Sequence, residues 1–275
     1  MPNTGKIAVV TGASMGIGLA IAKLFAARGA SVVMAARDLG RLETARASVG
    51  FAERTMAVAC DVSRHADLTL LLNAAMNRFG RVDIWINNAG LGLQDSVAGM
   101  DMAGCRRMFD VNLFGAIDAM QAVIPVMKQQ GGGCIINISS VAGHIAVPYM
   151  AAYCATKHAL NAISKAARVE LWGSGIHVLT VCPGYVRTDF SANTIKGGDR
   201  RRLAENVRRG IPAERVARAV LRGYTYRQRE VVVPWSNWIA IKAYQHAPKI
   251  VEWSMAQLAS PPKNSPENPS TGANH

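Results

Sequence analysis

The chain has 275 residues, half of them apolar and 18% charged, with a mean hydropathy of +0.11. That composition excludes a disordered or fibrous chain and supplies enough apolar mass for one α/β domain with a full core. A formal charge of +13 points to an anionic cofactor, substrate carrier or surface without naming one.

Met1–Lys6 leads directly into an apolar run at Ile7, with no charged, apolar and small-residue succession of a cleavable leader. No uninterrupted apolar stretch of about 18 residues follows, so no spanning helix is expected. Cys60, Cys105, Cys134, Cys154 and Cys182 are scattered, odd in number and free of any CxxC pair. They read as reduced apolar fillers in a cytoplasmic protein, and no metal is expected.

Strands and helices then alternate. Lys6–Thr11 is a β-branched strand, and Gly16–Arg28 places Ile17, Ala20, Ile21, Leu24 and Phe25 on one helical face. Ser31–Ala36 is a second strand, Leu39–Val49 a helix, and Arg54–Ala59 a third strand. Ser63 is predicted to cap a helix running to Phe79. Val82–Asn87 is a fourth strand, and a long helix over Ala103–Gln130 is predicted to be interrupted or kinked near Pro125. Cys134–Ser139, Ile176–Cys182 and Glu230–Val233 complete seven strands, with a helix over Ala151–Trp172. The strands are nearly continuous apolar runs, as a parallel sheet covered on both faces requires. The expectation is one doubly wound, Rossmann-type α/β domain over residues 1–233.

Two further regions stand out. Arg187–Arg229 holds eleven Arg and one Lys against four acids, a net +8. It reads as a solvated helical surface or as a basic lid of two helices that would meet an acidic carrier, cofactor phosphates or an anionic membrane. No recognition motif or aromatic interleaving suggests nucleic acid. Residues 234–260 carry Trp235, Trp238, Ile239, Ile241, Tyr244, Ile250, Val251, Trp253 and Leu258. This apolar helical extension would cover a pocket or interface, or touch a membrane peripherally. Residues 261–275 lack apolar residues to pack and are expected to be disordered.

Thr11-Gly12-Ala13-Ser14-Met15-Gly16-Ile17-Gly18 follows the first strand and opens the first helix. Glycines there permit a tight turn and close backbone approach to a pyrophosphate, which the helix N-terminus then attracts. The second strand ends Ala36-Arg37-Asp38, with Ala36 where an acid would bind a ribose 2′-hydroxyl. Arg37 suits a 2′-phosphate through its bidentate fork, and Ser14 adds a hydroxyl, so NADP(H) is the expected cofactor.

Tyr153 and Lys157 lie i, i+4 on one helical face. A phenol is a poor base near neutral pH, and a neighbouring ammonium would lower its pKa. Ser139 and Ser140 fall at a strand C-terminus, where Ser140 can donate to a substrate oxygen as charge develops. Asn112 sits inside an apolar helix, where it can bond backbone or anchor a water near Lys157.

On these residues, the chain over roughly 5–233 resembles the short-chain dehydrogenase/reductase family. The matching pieces are TGASMGIG at 11–18, Asp61-Val62, Asn87-Asn88-Ala89-Gly90, Asn112, Ser140, Tyr153-Cys154-Ala155-Thr156-Lys157 and Pro183-Gly184. The resemblance implies Tyr153 as general acid in reduction and base in oxidation. It implies Lys157 on the nicotinamide ribose, Ser140 on the carbonyl, and Asn112 holding a relay water. Asp61 and Val62 would contact adenine, Asn88 would line the cofactor site, and Val186 and Thr188 would meet the carboxamide. It also implies a homodimer or homotetramer through the two long helices. The expected function is NADP(H)-dependent interconversion of a ketone or aldehyde with an alcohol on a lipophilic substrate. The alternatives are a 3-ketoacyl thioester reductase and a non-catalytic dinucleotide sensor or scaffold. Intact Asn112, Ser140, Tyr153 and Lys157 argue against the last.

Overall fold

In the computed structural model, described over residues 4–190, 194–198 and 210–259, the apolar runs form the strands of one parallel sheet. They are β1 (Ile7–Thr11), β2 (Ser31–Ala36), β3 (Thr55–Ala59), β4 (Ile84–Asn87), β5 (Gly133–Ile138), β6 (Ile176–Pro183) and β7 (Glu230–Val233). Their order is β7-β6-β5-β4-β1-β2-β3, every neighbouring pair parallel. The chain reverses its winding between β1 and β4, and the crevice at their C-terminal ends is where such sheets take ligands. The fold is the doubly wound, seven-stranded, single-domain arrangement expected.

One face is covered by α1 (Gly16–Ala27), α2 (Leu39–Val49) and α7 (Ala213–Thr225), which bury Ile21, Phe25, Leu42, Val216 and Val220. The other is covered by α3 (His65–Phe79), α5 (Gly115–Gln129) and α6 (Ala151–Glu170), which close over Leu68, Trp85, Val123, Met127 and Ala167. Burying an aliphatic side chain in such a core contributes about 1.5–3 kcal/mol, which is why both faces of these strands are apolar.

Two local expectations differ from the structure. Ser63 does not cap α3; its hydroxyl and N–H both donate to Asp61, and Arg64 precedes the helix. The aspartate two residues back is the better acceptor. The long helix passes through Pro125 without ending, and its irregularity lies earlier. α4 (Met102–Phe109) joins α5 through a π-helical turn at Asp110–Phe114. Such turns are frequent at functional sites, and this one carries Asn112.

Of the stretch expected as a basic lid, Ala213–Thr225 is α7, packed against α1 with Arg215, Arg218 and Arg222 outward. Residues 199–209, and the expected tail over 261–275, lie outside the described residues. The extension folds as α8 (Asn237–His246) and α9 (Pro248–Ala259). Ile241 anchors it against Ile145, Cys182 and Val232, while Trp235, Ile239, Ile250 and Trp253 stay exposed.

Candidate active site

The glycine turn is shaped to receive phosphate. Gly12 and Gly16 hold φ of +64° and +56°, a region costly for residues with a Cβ. A methyl on Gly18 would lie 2.6 Å from Asn88 Nδ2 and nearer still to the Gly12 carbonyl oxygen. Met15 gives α1 no side-chain cap, and its first turn contains no acid, so the dipole and amide groups favour an anion there. These features fit a dinucleotide. Ser14, Met15 and Ile17 lie partly exposed along the turn.

β4 completes the cradle. Asn88 Nδ2 donates to the carbonyls of Thr11 (2.9 Å) and Gly12 (3.1 Å). Thr11 Oγ1 accepts from the N–H groups of Asn88 (3.0 Å) and Ala89 (3.1 Å). Asn88 therefore acts as a clasp on the turn. Thr11 was not singled out by sequence; a hydroxyl just before the first glycine was its only signal. Thr188 reaches the turn from the far side, its Cγ2 3.2 Å from where a Cβ on Gly16 would stand. Val186 pairs with Ile211 close by, and Gly184 N donates to Val233 at 2.8 Å.

At the far end of β2, Arg37 is exposed and Asp38 is occupied. The Asp38 carboxylate accepts from Arg41 N at 3.0 Å and caps α2. Burial acts to raise the Asp61 pKa, but bonds from Ser63 and the charges of Arg37 and Arg107 hold it below the usual carboxylate range. Arg37 thus faces the Asp61 region across the strand ends. Val62 is buried beside Ala89 and Val111.

The four expected catalytic residues come together. Tyr153 and Lys157 share the buried face of α6, with the ammonium 5.8 Å from the phenol ring centroid. Ser140 caps a short turn over Val141–Gly143; its hydroxyl accepts from Ala142 N at 3.1 Å, donates to Pro183 O at 3.4 Å, and lies within hydrogen-bonding reach of Tyr153. Lys157 Nζ donates to Ile138 O at 2.9 Å. Gly90 lies between Lys157 Nζ and Asn112 Oδ1, where a Cβ would stand 3.9 and 3.4 Å from them. The Asn112 amide bonds both backbone groups of Leu91 and Thr156 Oγ1.

Burial dominates the electrostatics. It pushes the Tyr153 phenol up to about 12, against the opposing pull of the Ser140 hydroxyl. It pushes the Lys157 ammonium down to about 8. The ammonium was expected to lower the phenol; burial raises it instead, and the opposing pull comes from the Ser140 hydroxyl. Tyr153 is therefore protonated at neutral pH, the state a proton donor needs. Its ring lies 5.7 Å from that of Phe190, in an apolar cluster with Leu93, Met108 and Met150.

A family profile described as short chain dehydrogenase matches residues 6–198. An uncharacterized oxidoreductase of Staphylococcus saprophyticus is 36% identical over 217 residues, covering 78% of this chain and 88% of that protein. A ketoacyl reductase of a Nostoc species is 33% identical over 233 residues, covering 84% and 79%. The crystal structure of a short chain dehydrogenase/reductase from Burkholderia phymatum, in complex with NAD, superposes with a TM-score of 0.85 at 26% identity, covering 91% and 96%. With the glycine turn, the buried Tyr153–Lys157 pair and Ser140 in one crevice, the chain is an oxidoreductase belonging to the short-chain dehydrogenase/reductase family.

Proposed function

We propose that the chain is an NADP(H)-dependent oxidoreductase that interconverts a ketone or aldehyde with an alcohol on a lipophilic substrate. The observation that carries this reading is the apolar setting of Tyr153, whose phenol meets Ser140 on one side and Phe190, Leu93 and Met150 on another. NADP(H) as cofactor is supported by Arg37 beyond an uncharged strand end and by the engagement of Asp38 in the α2 cap.

The dinucleotide supplies the hydride. Gly12–Gly18, with Ser14 at its rim, holds the pyrophosphate at the α1 N-terminus, and Arg37 pairs with the 2′-phosphate. Ser140 donates to the carbonyl oxygen and stabilises the charge that grows on it. Tyr153 delivers its proton to that oxygen in reduction and recovers it in oxidation. Lys157 Nζ anchors the ribose hydroxyls from the neighbouring turn of α6.

A 3-ketoacyl thioester reductase is the second reading, supported by the outward arginines of α7 and by the similarity to a ketoacyl reductase. Copies would pair through the long helices, where Ala155, Ala162, Ala166, Val169 and Trp172 leave an apolar strip open on and just past α6. Following NADPH consumption across lipophilic carbonyls and acetoacetyl thioesters tests the proposal. Turnover of carbonyls supports it, turnover of thioesters alone moves the assignment to the second reading, and reduction of neither class rejects both.

A further inference from the structure

Behind the catalytic serine lies a second group of polar side chains that the hydride-transfer chemistry does not use. His144 follows the turn capped by Ser140, Cys182 lies near the end of β6, and Glu230 opens β7. His144 Nε2 is 2.8 Å from Glu230 Oε1 and 3.5 Å from Cys182 Sγ, and that sulfur is 4.0 Å from the same carboxylate oxygen. All three atoms lie within 4.8 Å of one another. Cys182 is fully buried, and the His144 and Glu230 side chains are 8% and 17% exposed.

Hydrogen bonding alone does not account for this crowding. An imidazole Nε2 carries either one hydrogen or one lone pair. Here it faces Glu230 Oε1, which can only accept from it, and Asn161 Nδ2 at 3.3 Å, which can only donate to it. Asn161 Nδ2 also donates to Gly143 O at 2.9 Å, which orients the amide, and Asn161 Oδ1 lies 4.0 Å from the Cys182 sulfur. Zinc bonds of about 2.0–2.3 Å in tetrahedral array set ligand atoms roughly 3.3–3.8 Å apart. The three observed separations bracket that range, so shifts of a few tenths of an ångström would centre an ion.

We propose that His144, Cys182 and Glu230 form a binding site for a divalent transition-metal ion of zinc type, separate from the hydride-transfer centre. One nitrogen, one sulfur and one carboxylate oxygen suit a borderline-soft ion. On binding, the Cys182 sulfhydryl loses its proton to solvent and the His144 ring hydrogen moves from Nε2, where it faces Glu230, to Nδ1. The carboxylate offsets one of the ion's two charges and the thiolate the other. The His144 hydrogen bond, with Lys165 and Arg168, holds Glu230 in its anionic form. Burial and the Glu230 carboxylate push the Cys182 thiol up against the weaker pull of Ser139, Lys157 and Lys165, so the thiolate depends on the ion's own charge. Ile145, Val232 and Ile241 surround the group, and the Trp238 ring packs 6.0 Å from that of His144. Such an apolar shell keeps water from competing. The ion would pin the Ser140 loop, β6 and β7 together.

Cobalt(II) titration of the full-length protein tests this. A thiolate-to-cobalt charge-transfer band saturating at one ion per chain, and displaced by zinc, is expected. Cys182→Ser should abolish the band, while His144→Ala and Glu230→Gln should weaken binding at least tenfold; circular dichroism and dinucleotide binding check that each variant folds. If Cys182→Ser does not fold, the other two variants carry the test. Zinc should raise the melting temperature of the parent protein and not that of a folded ligand variant. No band in the parent, a full band in Cys182→Ser, or unchanged midpoints in both other variants would overturn the site.

Discussion

Asn112 reads both backbone polar groups of Leu91, accepting from its N–H at 2.7 Å and donating to its carbonyl at 2.8 Å. The second amide hydrogen goes to Thr156 Oγ1 at 3.2 Å. Both side-chain donors are thereby spent, so any relay water held at this residue must donate to it, at the second lone pair of Oδ1 or at the backbone carbonyl.

Asn112→Ala removes three buried partners at once and strands the Leu91 amide and carbonyl. Each of the two orphaned groups costs about 1–3 kcal/mol, so urea unfolding should show a loss of roughly 2–6 kcal/mol together with the fall in turnover. Full stability in this variant would show that the amide is not a strut of the fold.

Tyr153→Phe keeps the ring that packs on Phe190 and removes only the hydroxyl. Turnover should fall by about 10²–10⁴-fold, the usual worth of a positioned acid, while NADPH quenching titrations remain close to the parent. Substantial residual turnover would mean that another group delivers the proton.

Arg37→Ala separates the two nicotinamide cofactors. Losing charge-assisted bonds to a 2′-phosphate should weaken NADPH by roughly ten- to a hundredfold, with NADH little changed. Equal losses for both would place the arginine outside the discriminating contact.

Lys157 titrates against the fold. Burial depresses its pKa from 10.5 to about 8, so the native chain binds fewer protons than the unfolded one between those values. The cost of the buried ammonium is complete below pH 8 and is relieved as pH rises to 10.5. Lys157→Met should therefore be more stable than the parent at pH 7, by on the order of 1–3 kcal/mol, with the gap narrowing toward pH 10. Parallel urea curves at the two pH values, measured without dinucleotide, check this; a constant gap would contradict the depressed pKa.

Residues whose chemistry depends on a strand end were legible in the sequence. Gly12, Asn88, Ser140 and Pro183 each sit at or just after an apolar run, and a parallel sheet gathers such positions at one edge. Tyr153 and Lys157 were legible because helical spacing alone puts them on one face. The π turn around Asn112 was not, because a single extra residue in a helix leaves no mark in apolar periodicity, while Pro125 offers a louder one that does not end the helix. Ser63 was misread because a capping serine and a serine serving the Asp61 carboxylate have the same local pattern. His144, Cys182 and Glu230 are brought together by strand order across separations of 38 and 48 residues, which no spacing rule detects.

The Asn88 clasp has a bearing on biosynthesis. The turn it secures is made of residues 77 and 76 positions earlier in the chain. A nascent polypeptide can thread its opening strand and helix, yet its nucleotide berth stays unlatched until the fourth strand has left the ribosome and seated beside the first. Dinucleotide capture by arrested translation intermediates would therefore begin only once that asparagine has emerged.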